Sequence, residues 1–218
     1  MTAGDRPQGQ GAGTPVPRSA SSVPAAGLPD YAELRCVSTF SFLVGASQPE
    51  ELVERAHKQG YRALALTDEC SVAGVVRAHV AAKKIGLKLL IGSQFSVAVP
   101  EPSCDDAPGP FSLGVLACNL NGYGNLCEFI TKLRRASEKG TYHLDLGDIA
   151  SDELADCVVV ASPVRGSTDA QLVGLARWLL THFTGRCWLG VELLRQLDDE
   201  MWLHKLREAS DLSAIPLV

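Results

Sequence analysis

The chain has 218 residues, of which 46% are hydrophobic and 21% are charged, a composition typical of a soluble globular protein. Twenty lysines and arginines against 25 aspartates and glutamates give a formal net charge of −5, which argues against a basic sleeve around nucleic acid. No apolar run approaches the roughly 18 residues that a membrane span requires. We therefore expect a cytoplasmic protein that makes no membrane contact.

The seven cysteines are widely spaced and include no C-x-x-C pair. Their odd number and spacing are untypical of a disulfide framework or a structural zinc site. We expect reduced cysteines that pack as small hydrophobic side chains in a reducing compartment.

Residues 1–29 differ in composition from the rest of the chain. Most of them are Ala, Gly, Pro, Ser, Thr or Gln, and none is aromatic. Such a segment buries too little apolar surface to offset its ordering entropy. This predicts a disordered tail before a folded domain that spans 30–218. Thr2–Pro17 lacks the apolar region of a signal peptide.

Strands and helices alternate through the folded part. The predicted strands are Glu33–Val37, Arg62–Leu66, Lys88–Ile91, Phe95–Val99, Phe111–Cys118, Cys157–Ala161, Cys187–Leu193 and Ile215–Val218. The predicted helices are Gln48–Gln59, with Ser47 as its candidate cap, Val72–Lys84, Tyr123–Ser137, Asp169–Phe183 and Asp198–Ala209. The alternation predicts an α/β fold with right-handed βαβ units and a parallel sheet or barrel. Because the last strand stops at the final residue, we interpret the domain as cut rather than finished.

Three segments carry a family resemblance: YAELRCVSTFSFLVGAS, TDECSVAGVVRAHVAAK and NLNGYGNLCEFITKLRRASEKGTYHL. They resemble the opening of bacterial DNA polymerase III alpha subunits, and more narrowly the error-prone, damage-induced branch of that family. The resemblance covers about Pro29 to Val218. It implies a polymerase-and-histidinol-phosphatase (PHP) domain, a distorted (β/α)7 barrel, which would here be C-terminally incomplete because the last barrel elements are missing.

The resemblance also implies where a metal site would lie. Metal-competent members carry H-x-H at the end of the first strand and an aspartate in the turn that follows. A T-D-H motif ends their second strand, and an I-G-x-E motif ends the third. The corresponding residues here, named the mouth residues, are Arg35, Val37, Val44, Asp68, Glu69 and Gln94. The family's five ligand positions are all substituted here, by Arg35, Val37, Val44, Glu69 and Gln94. The sixth mouth residue, Asp68, is the aspartate of the T-D-H motif and is unchanged.

Such substitutions are incompatible with the family's metal chemistry. A divalent site needs several anionic or imidazole ligands at about 2.0–2.2 Å. The guanidinium of Arg35 would repel a cation, and the valines offer no ligand atom. We expect a vestigial barrel-mouth site without metal ligands or catalytic residues, in which Arg35 forms a salt bridge with Asp68 or Glu69.

Other chemistry-bearing residues form no motif. The five histidines include no H-x-H pair, and the sequence contains neither a G-x-S-x-G elbow nor a G-x-x-x-x-G-K-[ST] phosphate loop. We expect the three tryptophans to lie in the core rather than to stack on bases. A short basic cluster predicts a solvated face, although a contact with DNA or the next domain stays open. This cluster is Lys132, Arg134, Arg135 and Lys139.

For the full-length family, the resemblance implies a DNA-directed DNA polymerase that performs translesion synthesis in the DNA damage response. Its nucleotidyl transfer would use Mg²⁺ held by carboxylates of a downstream palm domain. For this chain alone we expect no polymerase activity, no cofactor and a scaffolding role. Its partners would be the downstream polymerase domains, DNA through the full-length enzyme, and accessory translesion proteins. Two alternatives stay open: a metal-dependent phosphoesterase or 3′–5′ proofreading nuclease, and a freestanding interaction module.

Overall fold

A computed structural model describes residues 30–99, 107–150 and 152–218. The predicted tail at 1–29 lies outside the described residues. The strands are β1 Ala32–Cys36, β2 Ala63–Leu66, β3 Lys88–Val97, β4 Phe111–Ala117, β5 Cys157–Pro163 and β6 Cys187–Leu189. The helices are α1 Pro49–Lys58, α2 Val75–Ile85, α3 Leu120–Ala136, α4 Asp169–His182 and α5 Asp199–Ser213.

The six strands form one sheet in chain order, which curls into a half-barrel. Strands β1, β2 and β3 are mutually parallel, as are β5 and β6, whereas β4 runs antiparallel to both of its neighbours. The predicted α/β, barrel-type fold is confirmed. The sheet is mixed, because β3 connects to β4 without the crossover helix that a parallel neighbour requires.

Strand β3 is a single long strand where the sequence predicts two. Its first half pairs in parallel with β2, and its second half pairs antiparallel with β4. Gly92 lies where the pairing changes, and a Cβ added there would stand 2.5 Å from the carbonyl oxygen of Val115. The polar run Gly92–Gln94 resembles a turn in sequence. It remains extended because Ser93 and Gln94 are buried at the carboxyl end of the sheet.

Local signals set the ends of the helices. Gln48, rather than the predicted Ser47, precedes α1, and its backbone N–H donates to the Glu51 carboxylate at 2.8 Å. Pro49 occupies the first helical position, where its missing N–H costs nothing. Gly86 ends α2 in the left-handed conformation, at a φ of 78°.

Two apolar clusters fill the space between the sheet and its helices. The smaller packs β2 against α1 and α2, and the larger packs β3–β6 against α3, α4 and α5. Phe95 of β3 is fully buried and meets the Phe129 ring of α3 edge-on, with centroids 5.2 Å apart. Trp202 is buried and Trp178 packs on the larger cluster, so the core prediction is confirmed for these two tryptophans.

The carboxyl ends of all five parallel strands meet at one edge, which we name the mouth. The last residues of the chain run beside β6. The Leu189 N–H donates to the Pro216 carbonyl at 2.9 Å, and the Val191 N–H donates to the Val218 carbonyl at 2.8 Å. The predicted strand Ile215–Val218 therefore takes the form of a single parallel bridge between Leu189 and Leu217. Among the described helices, none is long and apolar enough to cross a membrane.

Candidate functional site

The six mouth residues do not all meet. Arg35 lies in β1, Gln94 lies in β3, and Glu69 follows β2, so three adjacent strands bring these side chains together. Asp68 is buried beside them and faces the loop after β1. Val44 is 66% exposed in that loop, so its side chain takes no part in the polar contacts.

Arg35 joins the two edges of the curled sheet. Its Nε donates to Gln94 Oε1 at 2.8 Å, and its Nη1 forms an ion pair with Glu192, which lies just past β6. Burial lowers the pKa of Arg35 from its ordinary value, while the charges of Glu69 and Glu33 act to raise it. The predicted salt bridge from Arg35 to Asp68 or Glu69 is wrong in its partner, because Gln94 stands between Arg35 and Glu69.

Glu69 accepts hydrogen bonds on both carboxylate oxygens. Gln94 Nε2 donates to Oε2 at 2.8 Å, and the backbone N–H and hydroxyl of Ser96 donate to Oε1 at 3.2 and 3.1 Å. The Tyr142 hydroxyl also donates to Oε1. Burial, followed by this bond, raises the pKa of Tyr142 well above its ordinary value. Glu69 is thereby held by donors from β3 and from the segment after α3.

These contacts form a continuous chain of polar side chains across the mouth. We name it the mouth network, and its members in order are Glu192, Arg35, Gln94, Glu69 and Tyr142. It connects residues beyond β6, in β1, in β3, after β2 and after α3. Because each connection is a hydrogen bond or ion pair between different elements, the network fixes their relative positions at the mouth.

Asp68 organises the loop that follows β1. The residue is 1% exposed, and its carboxylate accepts from the Ser38 N–H at 2.7 Å, the Ser38 hydroxyl at 2.8 Å and the Ser41 hydroxyl at 2.7 Å. Ser41 Oγ in turn accepts from the Glu69 N–H at 2.9 Å. The loop passes so close to itself that a Cβ on Gly45 would stand 1.9 Å from the Ser38 carbonyl oxygen. Asp68 therefore holds a loop rather than presenting its carboxylate to the mouth.

One residue of the basic cluster, Arg134, contacts the backbone and the aromatic ring of the mouth site. The Arg134 guanidinium donates to the carbonyl of Cys70 at 3.2 Å and of Glu69 at 3.3 Å, and it lies 5.5 Å from the centre of the Tyr142 ring. Lys132 pairs with Glu153. Two of the four basic residues therefore have partners within the protein, which leaves Arg135 and Lys139 for the solvated face that the sequence predicts.

The mouth residues do not fit the divalent metal that the family resemblance implies. Asp68 and Glu69 already accept hydrogen bonds on both carboxylate oxygens, and the Arg35 guanidinium stands between Glu192 and Gln94. No histidine stands among the mouth residues, and a fixed cation opposes a second one. Within the described parts of the chain, no group of three or more His, Cys, Asp or Glu side chains is placed to hold a metal.

Sequence reasoning missed Glu192 and Tyr142. Both are separated from their partners by long stretches of chain, 157 residues between Arg35 and Glu192 and 73 between Glu69 and Tyr142. The signal for Glu192 is its place just beyond β6, because functional side chains of α/β barrels gather at the carboxyl ends of strands. For Tyr142, which follows α3 in an irregular segment, no sequence signal of this kind exists.

Comparison with known proteins gives this geometry a context. The PHP domain family model matches residues 33–172. The chain is 47% identical over 195 residues to an error-prone DNA polymerase of Dechloromonas aromatica, covering 88% of this chain and 18% of that protein. It is 47% identical over 199 residues to the error-prone DNA polymerase of Bordetella parapertussis, with the same two coverages. The chain thus spans about a fifth of the length of these relatives.

Two solved structures share the fold. A putative metal-dependent phosphoesterase from Bifidobacterium adolescentis has a TM-score of 0.58 and 16% identity, with 86% of this chain and 85% of that chain covered. An amidohydrolase from Chromobacterium violaceum, solved with bound sulfate and no metal, has a TM-score of 0.60 and 17% identity, with 86% and 84% covered. At this level of identity the likeness concerns the fold alone.

Proposed function

Because the chain belongs to the PHP domain family, we propose that it is the amino-terminal PHP portion of an error-prone DNA polymerase and serves there as a non-catalytic scaffold. The observation that carries the proposal is the 47% identity to error-prone DNA polymerases over 88% of the chain. The mouth network supports the scaffolding part, because it fills the place of a metal site with contacts between strands.

The polymerase chemistry belongs, on this proposal, to the part of the longer protein that this chain does not contain. Nucleotidyl transfer uses two metal ions held by carboxylates. Asp68 is committed to the loop after β1, and the fixed positive charge of Arg35 lies beside Gln94 and Glu69, which opposes the binding of two metal ions at the mouth. Mg²⁺ and the DNA would be held elsewhere in the longer protein, which would act in translesion synthesis during the DNA damage response in the cytoplasm.

The scaffold has a defined physical basis. The mouth network joins β1 to the residues beyond β6, which are the two edges of the described sheet. The adjoining loop is fixed by the buried Asp68 through Ser38 and Ser41. A mouth that is rigid without a metal is a suitable platform for the polymerase core and for accessory translesion proteins, because docking then costs little ordering entropy.

The deciding experiment begins at the native locus. We expect the reading frame to continue beyond codon 218 into a polymerase, and the longer protein to extend a primer opposite an abasic site with Mg²⁺. The 218-residue chain should show no extension under the same conditions. A stop codon directly after residue 218, or a longer protein without primer extension, would remove the polymerase assignment.

The non-catalytic part of the proposal is tested on the chain itself. We expect no release of nucleotides from a 3′ primer end and no hydrolysis of a phosphoester with Mn²⁺ or Zn²⁺. A metal-dependent release that is lost in Glu69→Gln but kept in Glu54→Gln, an exposed glutamate on α1, would establish the nuclease or phosphoesterase alternative instead.

A further inference from the structure

Two loops at the mouth expose apolar side chains. The loop after β1 carries Phe42 at 84% exposure and Leu43 at 91%, and the loop after β6 carries Leu194 at 64%. With their neighbours these residues form a set that we name the apolar rim. Its members are Phe42, Leu43, Val44, Leu193, Leu194 and Leu197. Single exposed leucines are ordinary, whereas two adjoining loops that expose six large apolar side chains indicate an interaction surface.

The mouth network places the two loops next to each other. Arg35 lies just before the first loop, and Glu192 lies directly before Leu193 at the start of the second. Their ion pair joins the bases of the two loops across the opening of the half-barrel. The exposed side chains of both loops therefore belong to one face of the molecule.

Both loops hold a residue in an unfavourable backbone conformation. Leu43 has a φ of 63° and Arg195 a φ of 57°, in the left-handed region that is unfavourable for a residue with a Cβ. The first loop is fixed in this shape by the buried Asp68 and its serine partners. The protein thus maintains a strained conformation in which Leu43 points into solvent, as expected where a partner receives it.

The composition of the rim selects the chemistry of its partner. Between Val37 and Gln48 the first loop has no charged residue, and the second loop, Leu193–Leu197, has Arg195 alone. Binding of DNA or RNA needs several lysines or arginines to neutralise phosphates. An apolar protein face is the complementary partner, because its burial removes the leucine and phenylalanine side chains from water.

The relatives of this chain and the position of Val218 in the fold indicate which protein supplies that face. Val218 is hydrogen-bonded to Val191, two residues before Leu193, which is the first rim residue of the second loop. The polymerase relatives are more than five times as long as the part that this chain matches. Polypeptide that follows this sequence in such a protein would leave the half-barrel at the mouth, beside the rim.

We propose that the apolar rim is the docking surface for an apolar face of the polypeptide that follows this sequence in the longer polymerase. The inference rests on the proposed function and gives the scaffold its contact surface. Docking covers Leu43 and Leu194 and leaves the outward sides of α2 and α5 free.

Thiol labelling compares the rim in the short and the long protein. Leu43→Cys and Leu194→Cys are introduced separately into both proteins, with Val76→Cys on α2 and Leu212→Cys on α5 as controls. A maleimide is added, and its rate of attachment at each cysteine is followed by peptide mass spectrometry, which separates the new cysteine from the native ones. All four replaced positions are exposed, so the changes leave the core intact.

In the longer protein, we expect labelling of both rim cysteines to be at least tenfold slower than in the 218-residue chain, with both controls changing less than twofold. Equal rim rates in the two proteins overturn the docking proposal, while primer extension by the longer protein still supports the polymerase assignment. Rim labelling that is already slow in the 218-residue chain and becomes faster on dilution assigns the rim to a second copy, which also overturns it. A reading frame that stops at codon 218 removes both proposals.

Discussion

Replacing Arg35 tests the mouth network most directly. Arg35→Ala removes an ion pair with Glu192 and also the donor to Gln94, whose side chain is buried with the residue 6% exposed. Glu192→Ala removes only the ion pair. We therefore expect Arg35→Ala to lower the free energy of unfolding more than Glu192→Ala does.

The magnitudes follow from the exposure of each group. The side chains of Arg35 and Glu192 are 36% and 42% exposed, so water screens their attraction, and such pairs contribute about 0.2–1 kcal/mol. Leaving the buried Gln94 oxygen without a donor costs about 1–3 kcal/mol. Arg35→Ala should therefore cost about 2–3 kcal/mol, and Glu192→Ala about 0.5 kcal/mol, with a coupling between them of at most about 1 kcal/mol.

These free energies of unfolding and their coupling are measured by urea unfolding. The proteins compared are the starting chain, the two single variants and the double variant. Arg62→Ala is the matched control, because Arg62 and Asp30 form a pair 3.4 Å apart in which both side chains are at least 70% exposed. We expect Arg62→Ala to change stability by less than about 0.5 kcal/mol. If Arg35→Ala cost no more than this control, the network would not hold the mouth together. A coupling above about 2 kcal/mol would show that the ion pair, rather than Gln94, carries the effect.

Three further predictions concern Tyr142, metal ions and Gly92. Tyr142→Phe should cost about 1 kcal/mol at pH 7. Because the folded chain raises the pKa of Tyr142 above its ordinary value of 10.0, the unfolded chain loses this proton first. Above pH 10, the stability of the starting chain should therefore fall more steeply with pH than the stability of Tyr142→Phe. Urea unfolding midpoints measured against pH would contradict this if the two curves ran parallel. Neither EDTA nor Mn²⁺ should shift the melting temperature measurably, whereas a rise with Mn²⁺ that Glu69→Gln abolishes would reveal a metal site. Gly92→Ala should lower the free energy of unfolding by about 1–3 kcal/mol, because the added Cβ conflicts with Val115. The control is Gly124→Ala on α3, where an added Cβ meets nothing within 4 Å, and it should stabilise the chain by up to about 1 kcal/mol. Equal effects of the two changes on thermal unfolding would refute the close approach at Gly92.

The periodic parts of the sequence predict the fold well. The strand Cys157–Ala161 and the helix Asp169–Phe183 match β5 and α4 to within two residues at each end. The prediction fails where burial overrides local composition. Gly92–Gln94 resembles a turn but continues β3, because its polar side chains meet partners in the segment that follows β2. No local pattern contains that information.

The candidate site was predictable in position but not in its contacts. The carboxyl ends of the strands and the family resemblance locate Arg35, Glu69 and Gln94 together, and the structure places them there. Glu192 could be connected to Arg35 only once the curl of the sheet was known, because the sheet order alone puts β1 and β6 at opposite edges. The same applies to Tyr142, whose position depends on how the chain returns after α3.

Arg35 connects the elements of the mouth through a positive charge that belongs to the protein. Its guanidinium binds the Glu192 carboxylate and the Gln94 side chain, and Gln94 in turn donates to Glu69. The planar guanidinium carries N–H donors in fixed directions, so Nε binds Gln94 while Nη1 binds Glu192. A lysine ammonium at this position lacks that fixed arrangement of donors.

Metal ligands introduced one at a time would not create a divalent site in this mouth. A histidine at position 35 would lack the fixed charge that balances Glu192, and the Glu69 carboxylate would remain held by Tyr142 and Ser96. Asp68 would still be committed to the loop after β1 through Ser38 and Ser41. Metal binding would therefore require several simultaneous changes in the mouth network, because each residue in it satisfies the hydrogen bonds of its neighbour.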